Sequence, residues 1–179
     1  MIVHFICRGN AFRSIIAEAY LNSLMLDDWA VLSSGTTAAA HEERNLPNYR
    51  STLAILEAHG VREFAKDGYG DQLTQERVDT ADLTVCLNRR VYDECLQRVT
   101  FPASPRIWSI ADIGEPGRIA HSDQERWRYR EDAYQEIAGN VDGLVAEIPV
   151  TSLLTPGKDG GHEQRDQASR HVHRGRQAI

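Results

Sequence analysis

A chain of 179 residues suits one domain with a full hydrophobic core and is short for two. Its 26 acidic against 20 basic side chains, with the basic ones scattered, argue against a nucleic-acid or anionic-membrane surface as the main partner. The three cysteines, Cys7, Cys86 and Cys95, make no disulfide framework, so a reducing compartment, the cytoplasm, is expected.

The elements follow in chain order. Ile2-Val3-His4-Phe5-Ile6 is nearly all apolar, as a strand buried on both faces is, and it is far too short for the apolar region of a secretion signal. A glycine-containing turn follows. A helix is predicted over Ser14–Leu26, where Ile15, Ile16, Ala19, Tyr20 and Leu24 recur at helical spacing. Ala30–Ser33 reads as a second strand, closed by Ser34-Gly35-Thr36, and residues 37–46 read as loop. Pro47 can open a helix running to about His59, because proline is tolerated in a first turn, and Gly60 supplies a stop. Thr74 caps a helix start at Leu73-Thr74-Gln75-Glu76. Leu83–Leu87 is a third strand, Val91–Gln97 a helix and Ile107–Ile110 a fourth strand. Asp123–Glu147 is a long helix striped by Ile137, Val141, Leu144 and Val145.

Strands alternating with helices predict an α/β domain over residues 1–150, with a parallel sheet covered by helices on both faces. Residues 151–179 are polar and hold too few large apolar side chains to order themselves, so a disordered tail is expected there. No apolar run is long enough to span a bilayer.

Ligands of parallel sheets sit at the carboxyl ends of the strands, which directs attention to the first strand–turn–helix. It reads Cys7-Arg8-Gly9-Asn10-Ala11-Phe12-Arg13-Ser14. A helix N-terminus offers unpaired N–H groups and a positive dipole end to a phosphate dianion. Gly9 lets the backbone curl so that the N–H groups from Arg8 to Arg13 turn inward as an anion nest. Arg13 adds a fork of donors matched to two phosphate oxygens. The same field favours the charged form of Cys7, and Ser14 can donate its hydroxyl hydrogen to that sulfur. The result is a nucleophile beneath a held phosphate.

These residues resemble the low-molecular-weight protein tyrosine phosphatases and the related thioredoxin-coupled arsenate reductases. The family's opening, an apolar strand and Cys-x-Gly-Asn-x-Cys-Arg-Ser followed by Ala-Glu, is matched by Val3–Glu18, and its Ser-Ala-Gly-Thr by Ser33-Ser34-Gly35-Thr36. The resemblance continues through Gln72-Leu73-Thr74 and Ala81-Asp82-Leu83 and covers about residues 1–148. It implies a four-stranded parallel sheet in three layers, a cysteinyl-phosphate intermediate, and no metal or other cofactor. It also implies that Asn10 braces the loop and that Ser33 bonds to Asn10. Phe12 replaces the loop's second cysteine, Ile15 replaces a proline, and Arg8 stands where a smaller uncharged residue is usual. Arg8 either adds positive potential at the pocket or points outward to solvent, the cheaper arrangement.

The family draws its general acid from an aspartate followed by proline after the fourth strand. Trp108-Ser109-Ile110-Ala111-Asp112 fits that approach, although Ile113 follows it; Glu115-Pro116 is the alternative, keeping the acid–proline pair. The resemblance sets the reductase's two relay positions at Asn88 and Cys95, so one relay thiol is missing, and Cys86 reads as core. The expected function is hydrolysis of phosphomonoesters, protein phosphotyrosine foremost. An arsenate reductase on the same scaffold and a non-enzymatic phosphate or phosphoprotein binder are the alternatives. His4 reads as packed in the first strand, His41 and His59 as loop and helix-end residues, and His162, His171 and His173 as tail; none is assigned a metal.

Overall fold

The N-terminal apolar run forms strand β1, Ile2–Cys7, in the interior of the sheet. The computed structural model describes residues 1–40, 42–116 and 118–148. β1 pairs in parallel with β2, Ala30–Gly35, on one side and with β3, Leu83–Cys86, on the other. The short strand β4, Arg106–Ile107, adds in parallel to β3, so the order is β2-β1-β3-β4. The helices are α1, Arg13–Ser23; α2, Glu42–Ala58; α3, Gln75–Thr80; α4, Arg89–Cys95; and α5, Asp123–Glu147. A single 3-10 turn, Arg62–Phe64, falls between α2 and α3.

The period of two in a strand divides the core. Val3, Phe5 and Cys7 join a large cluster with Ile15, Ile16 and Ile137, whereas Ile6 joins a smaller one with Val78 and Val91. β3 repeats the division: Val85 faces the large cluster and Cys86 the small one. The sheet is thus flanked by α1, α2 and α5 on one face and by α3 and α4 on the other, the expected three layers. The α5 stripe is real, since Ala133, Ile137, Val141 and Leu144 are all buried; each large member contributes roughly 1.5–3 kcal/mol by leaving water. Ser122 caps α5 by accepting from the Glu125 N–H at 3.1 Å.

Several boundaries differ from expectation. α2 begins at Glu42, inside the expected loop, and carries Pro47 in its body, where the proline forgoes one intrahelical hydrogen bond. The buried Asn45 holds this first turn down by donating to the Ala38 carbonyl at 3.1 Å. α1 stops at Ser23 rather than Leu26, because Met25 turns left-handed at φ +48°. α4 spans Arg89–Cys95 rather than Val91–Gln97, with Asn88 as its cap. β4 is shorter than expected, yet the chain beyond it still donates to the sheet, from Trp108 to the Cys86 carbonyl and from Ile110 to that of Leu87. Among the described residues no helix is long and apolar enough to cross a membrane. The readings for His41 and for residues 151–179 lie outside the described residues.

Candidate active site

Cys7 ends β1, and the chain then turns through residues 8–12 into α1. The loop folds back on its cysteine: the Asn10 N–H points at the Cys7 sulfur at 3.2 Å, and the Ser14 Oγ lies 3.0 Å from the same atom. Asn10 itself takes the left-handed conformation, φ +45°. The curl expected at Gly9 therefore falls one residue later, on a side chain that tolerates it. Gly9 is needed for space instead, since a Cβ there would sit 2.5 Å from the Asn45 Oδ1. Gly35, at the end of β2, is hemmed in by loop backbone: its Cβ would lie 2.5 Å from the Arg8 carbonyl oxygen and 2.7 Å from the Asn10 nitrogen. The loop backbone is held from outside by Thr36 and Thr37, whose N–H groups donate to the carbonyls of Cys7 and Arg8, and by the Thr52 hydroxyl on α2, which donates to the Ala11 carbonyl at 2.8 Å. No side chain caps α1, and no acid stands in its first turn, so its N-terminal N–H groups stay available to an anion.

The Asn10 side chain organises the interior of the loop. Its Nδ2 donates to the Ser33 Oγ at 2.8 Å and to the Ser14 Oγ at 3.1 Å. Ser33 in turn donates to Glu18 at 2.5 Å. Because the Ser14 oxygen already accepts from Asn10, its own hydrogen is free to point at Cys7. Glu18 is buried, and burial raises its pKa against the opposing pull of Lys66 and the Ser33 hydroxyl.

Arg13 is 1% exposed, and its fork reaches the carbonyl of Ile110 at 2.9 Å and the carboxylate of Asp112 at 2.6 Å. Cys7, Arg13 and Asp112 line one cavity of about 300 Å3, walled further by Asn45, Asn48 and Ile113. Glu115 is turned away from it: its carboxylate accepts from the Asp112 N–H at 3.0 Å and from Asn88 at 3.3 Å, bracing the loop that presents Asp112. Arg8 reaches the rim but ion-pairs with Glu94 of α4 at 2.9 Å, and a third of its side chain is exposed. Ala11 and Phe12 are buried, with the Arg130 guanidinium 5.9 Å above the Phe12 ring. Sequence reasoning missed the roles of Glu18, which stood inside the recognised motif one turn after Ser14, and of Thr52, Lys66 and Asp71, which the fold brings to the loop from far along the chain.

Cys86 and Cys95 share the small cluster on the far face of the sheet from Cys7. Their mutual contact, with burial, raises the Cys86 pKa far above the thiol range. Asn88 is occupied as the cap of α4, its Oδ1 accepting from the Val91 N–H.

The chain is similar to the arsenate reductase of Bacillus subtilis (strain 168), 27% identical over 151 residues, 84% of this chain and 96% of that protein. It is 33% identical over 91 residues to the human low molecular weight phosphotyrosine protein phosphatase, 48% of this chain and 54% of that one. The solved low molecular weight protein tyrosine phosphatase of T. tengcongensis superposes with a TM-score of 0.62 at 22% identity, covering 83% of this chain and 99% of that one. The family model for low molecular weight phosphotyrosine protein phosphatases matches residues 2–146, and the chain belongs to that family.

Proposed function

We propose that this protein hydrolyses phosphomonoesters, protein phosphotyrosine among them, through a cysteinyl-phosphate intermediate, in the cytoplasm and without a metal. The observation that carries the reading is the convergence of Cys7, the uncapped α1 N-terminus, Arg13 and Asp112 on one cavity. A phosphate seated on the loop N–H groups takes over the Arg13 fork, which frees Asp112 toward the leaving oxygen. The Cys7 thiolate attacks phosphorus, an S–P bond forms as the ester P–O bond breaks, and Asp112 gives its proton to the departing oxygen. The Asp112 carboxylate then takes a proton from water, whose oxygen attacks phosphorus. The S–P bond breaks, releasing inorganic phosphate and the thiolate.

Steady-state turnover of an aryl phosphate tests this. Cys7→Ser should remove turnover while the fold persists, because an alcohol is not ionised at working pH; substantial activity in that variant would end the mechanism.

A second reading, arsenate reduction, draws on the relatives named for it. A thiol relay must bring one sulfur within reach of the next. Cys86 and Cys95 stand across the sheet from Cys7, and Asn88 carries no thiol, so the phosphatase reading is favoured. Arsenate-dependent oxidation of thioredoxin would reverse that preference. Phosphate binding without turnover of any ester would leave a phosphate-binding module.

A further inference from the structure

Asn10 uses every hydrogen-bonding capacity of its side chain. Its Nδ2 donates twice, to Ser14 and Ser33, and its Oδ1 accepts twice, from the Lys66 ammonium at 3.0 Å and from the Asp71 N–H at 2.9 Å. The segment from Lys66 to Asp71 wraps this one residue, since the Gly70 N–H also donates to the Asn10 carbonyl at 3.0 Å. An amide turned end for end would set its own N–H groups against an ammonium and a second N–H. It would also leave the serines without their donor. Lys66 is therefore in a position to decide which way the amide points.

That orientation has a chemical consequence. With Nδ2 on the Ser14 oxygen, the Ser14 hydrogen is directed at the Cys7 sulfur, 3.0 Å away. With Nδ2 on the Ser33 oxygen, the Ser33 hydrogen goes to Glu18. The chain of hydrogen bonds thus has a single polarity, set at one end by a cation and at the other by a buried carboxylate. Lys66 lies 3.8 Å from Glu18 and 2.9 Å from Asp71, and Asp71 is shared with Arg77 at 3.1 Å. The Lys66 charge and the Ser33 hydroxyl both work against the rise in pKa that burial gives Glu18.

We propose that Lys66 is a positioning residue, whose ammonium, held between Glu18 and Asp71, locks the Asn10 amide in the orientation that turns the Ser14 hydrogen onto the Cys7 sulfur. The proposal rests on the phosphatase reading above and adds to it a residue that touches neither the phosphate loop's cavity nor Cys7. The groups that face Cys7 across the cavity, Arg13, Arg8 and Asp112, are unchanged by it.

Lys66→Met, Lys66→Arg and Arg77→Gln test it with three readouts: the pH profile of Cys7 alkylation by iodoacetate, kcat and KM for an aryl phosphate, and the urea unfolding midpoint. Lys66→Met should move the alkylation profile to higher pH. It should also lower kcat by about tenfold, the worth of one charge-assisted hydrogen bond, with KM much less affected. Lys66→Arg, which keeps a charged donor, should restore most of both. Arg77→Gln loosens the outer end of the cluster without touching Asn10 and should move neither.

A Lys66→Met protein that is less stable but alkylates on the wild-type profile would reduce Lys66 to a structural ion pair and overturn the proposal. If Lys66→Met does not fold, Lys66→Gln takes its place: a neutral amide donor should shift the profile part of the way, and a folded Gln variant on the wild-type profile overturns the proposal equally. Absence of turnover in the wild-type protein would count against the phosphatase reading alone, because the alkylation profile reports on Lys66 without any substrate.

Discussion

Asp112 and Glu115 stand three residues apart in one loop and use their carboxylates in opposite directions. Asp112 faces the cavity and Arg13, while Glu115 faces inward, onto the Asp112 N–H and the Asn88 amide. The proline after Glu115 made it a candidate on sequence; the side-chain direction favours Asp112. Loss of a general acid is felt in proportion to how badly the leaving oxygen needs a proton. Asp112→Asn should therefore slow phenyl phosphate turnover by roughly 10²–10⁴-fold and nitrophenyl phosphate turnover by much less. Glu115→Gln, which keeps an oxygen for the Asp112 N–H, should affect both esters slightly and alike. A leaving-group-dependent loss in the Glu115 variant would transfer the role to it.

At the scale of elements, the loop works because β2 ends against it. Gly35 has the Arg8 carbonyl and the Asn10 N–H within 2.5 and 2.7 Å of where a Cβ would stand, both backbone atoms of the loop itself. Gly35→Ala must displace the loop, a strain of about 1–3 kcal/mol, and should lose both phosphate affinity and stability. Gly9→Ala meets only the Asn45 side chain and should be milder. Competitive inhibition by inorganic phosphate and a urea melt measure both, and wild-type phosphate affinity in Gly35→Ala would show that β2 does not shape the loop. The elements legible in the sequence were those whose signals are local. β1, the phosphate loop and α1 lie in one unbroken run of motif, and the α5 stripe repeats at helical spacing. The α2 start was hidden because Pro47 marks a first turn more often than a helix body. The left-handed residue was hidden because Gly9 stands beside Asn10 and is the usual bearer of positive φ. Lys66, Asp71 and Thr52 could not be read at all: they meet the loop across 56, 61 and 41 residues of chain, and only the folded sheet brings them there.

For the molecule as a whole, the interior position of β1 makes its one basic side chain a reporter of global stability. His4 is fully buried; its Nε2 meets the Ser34 Oγ at 2.7 Å, and its Nδ1 has no partner among the described residues. Burial first, and then the nearby cations Arg77 and Lys66, lower its pKa from 6.5 to about 4. The sign follows from which state binds the proton more readily. Between those two values the unfolded chain is protonated at this site and the folded one is not, so stability rises with pH across that window and falls as pH drops through it. Above pH 6.5 neither state is protonated at His4, and the penalty vanishes. Taken fully, the shift is worth about 3 kcal/mol of stability lost between neutral pH and pH 4, a large share of what a domain this size possesses. Glu18, whose pKa is raised, works in the opposite sense, so the two must be separated by subtraction. His4→Gln keeps an amide for Ser34 and cannot titrate. Urea unfolding of both proteins at a series of pH values from 7 down to 4 should give a stability difference that grows steadily in the variant's favour as pH falls. A difference that stays level across that range would mean that His4 carries no proton linkage and that the acid sensitivity of the fold lies elsewhere.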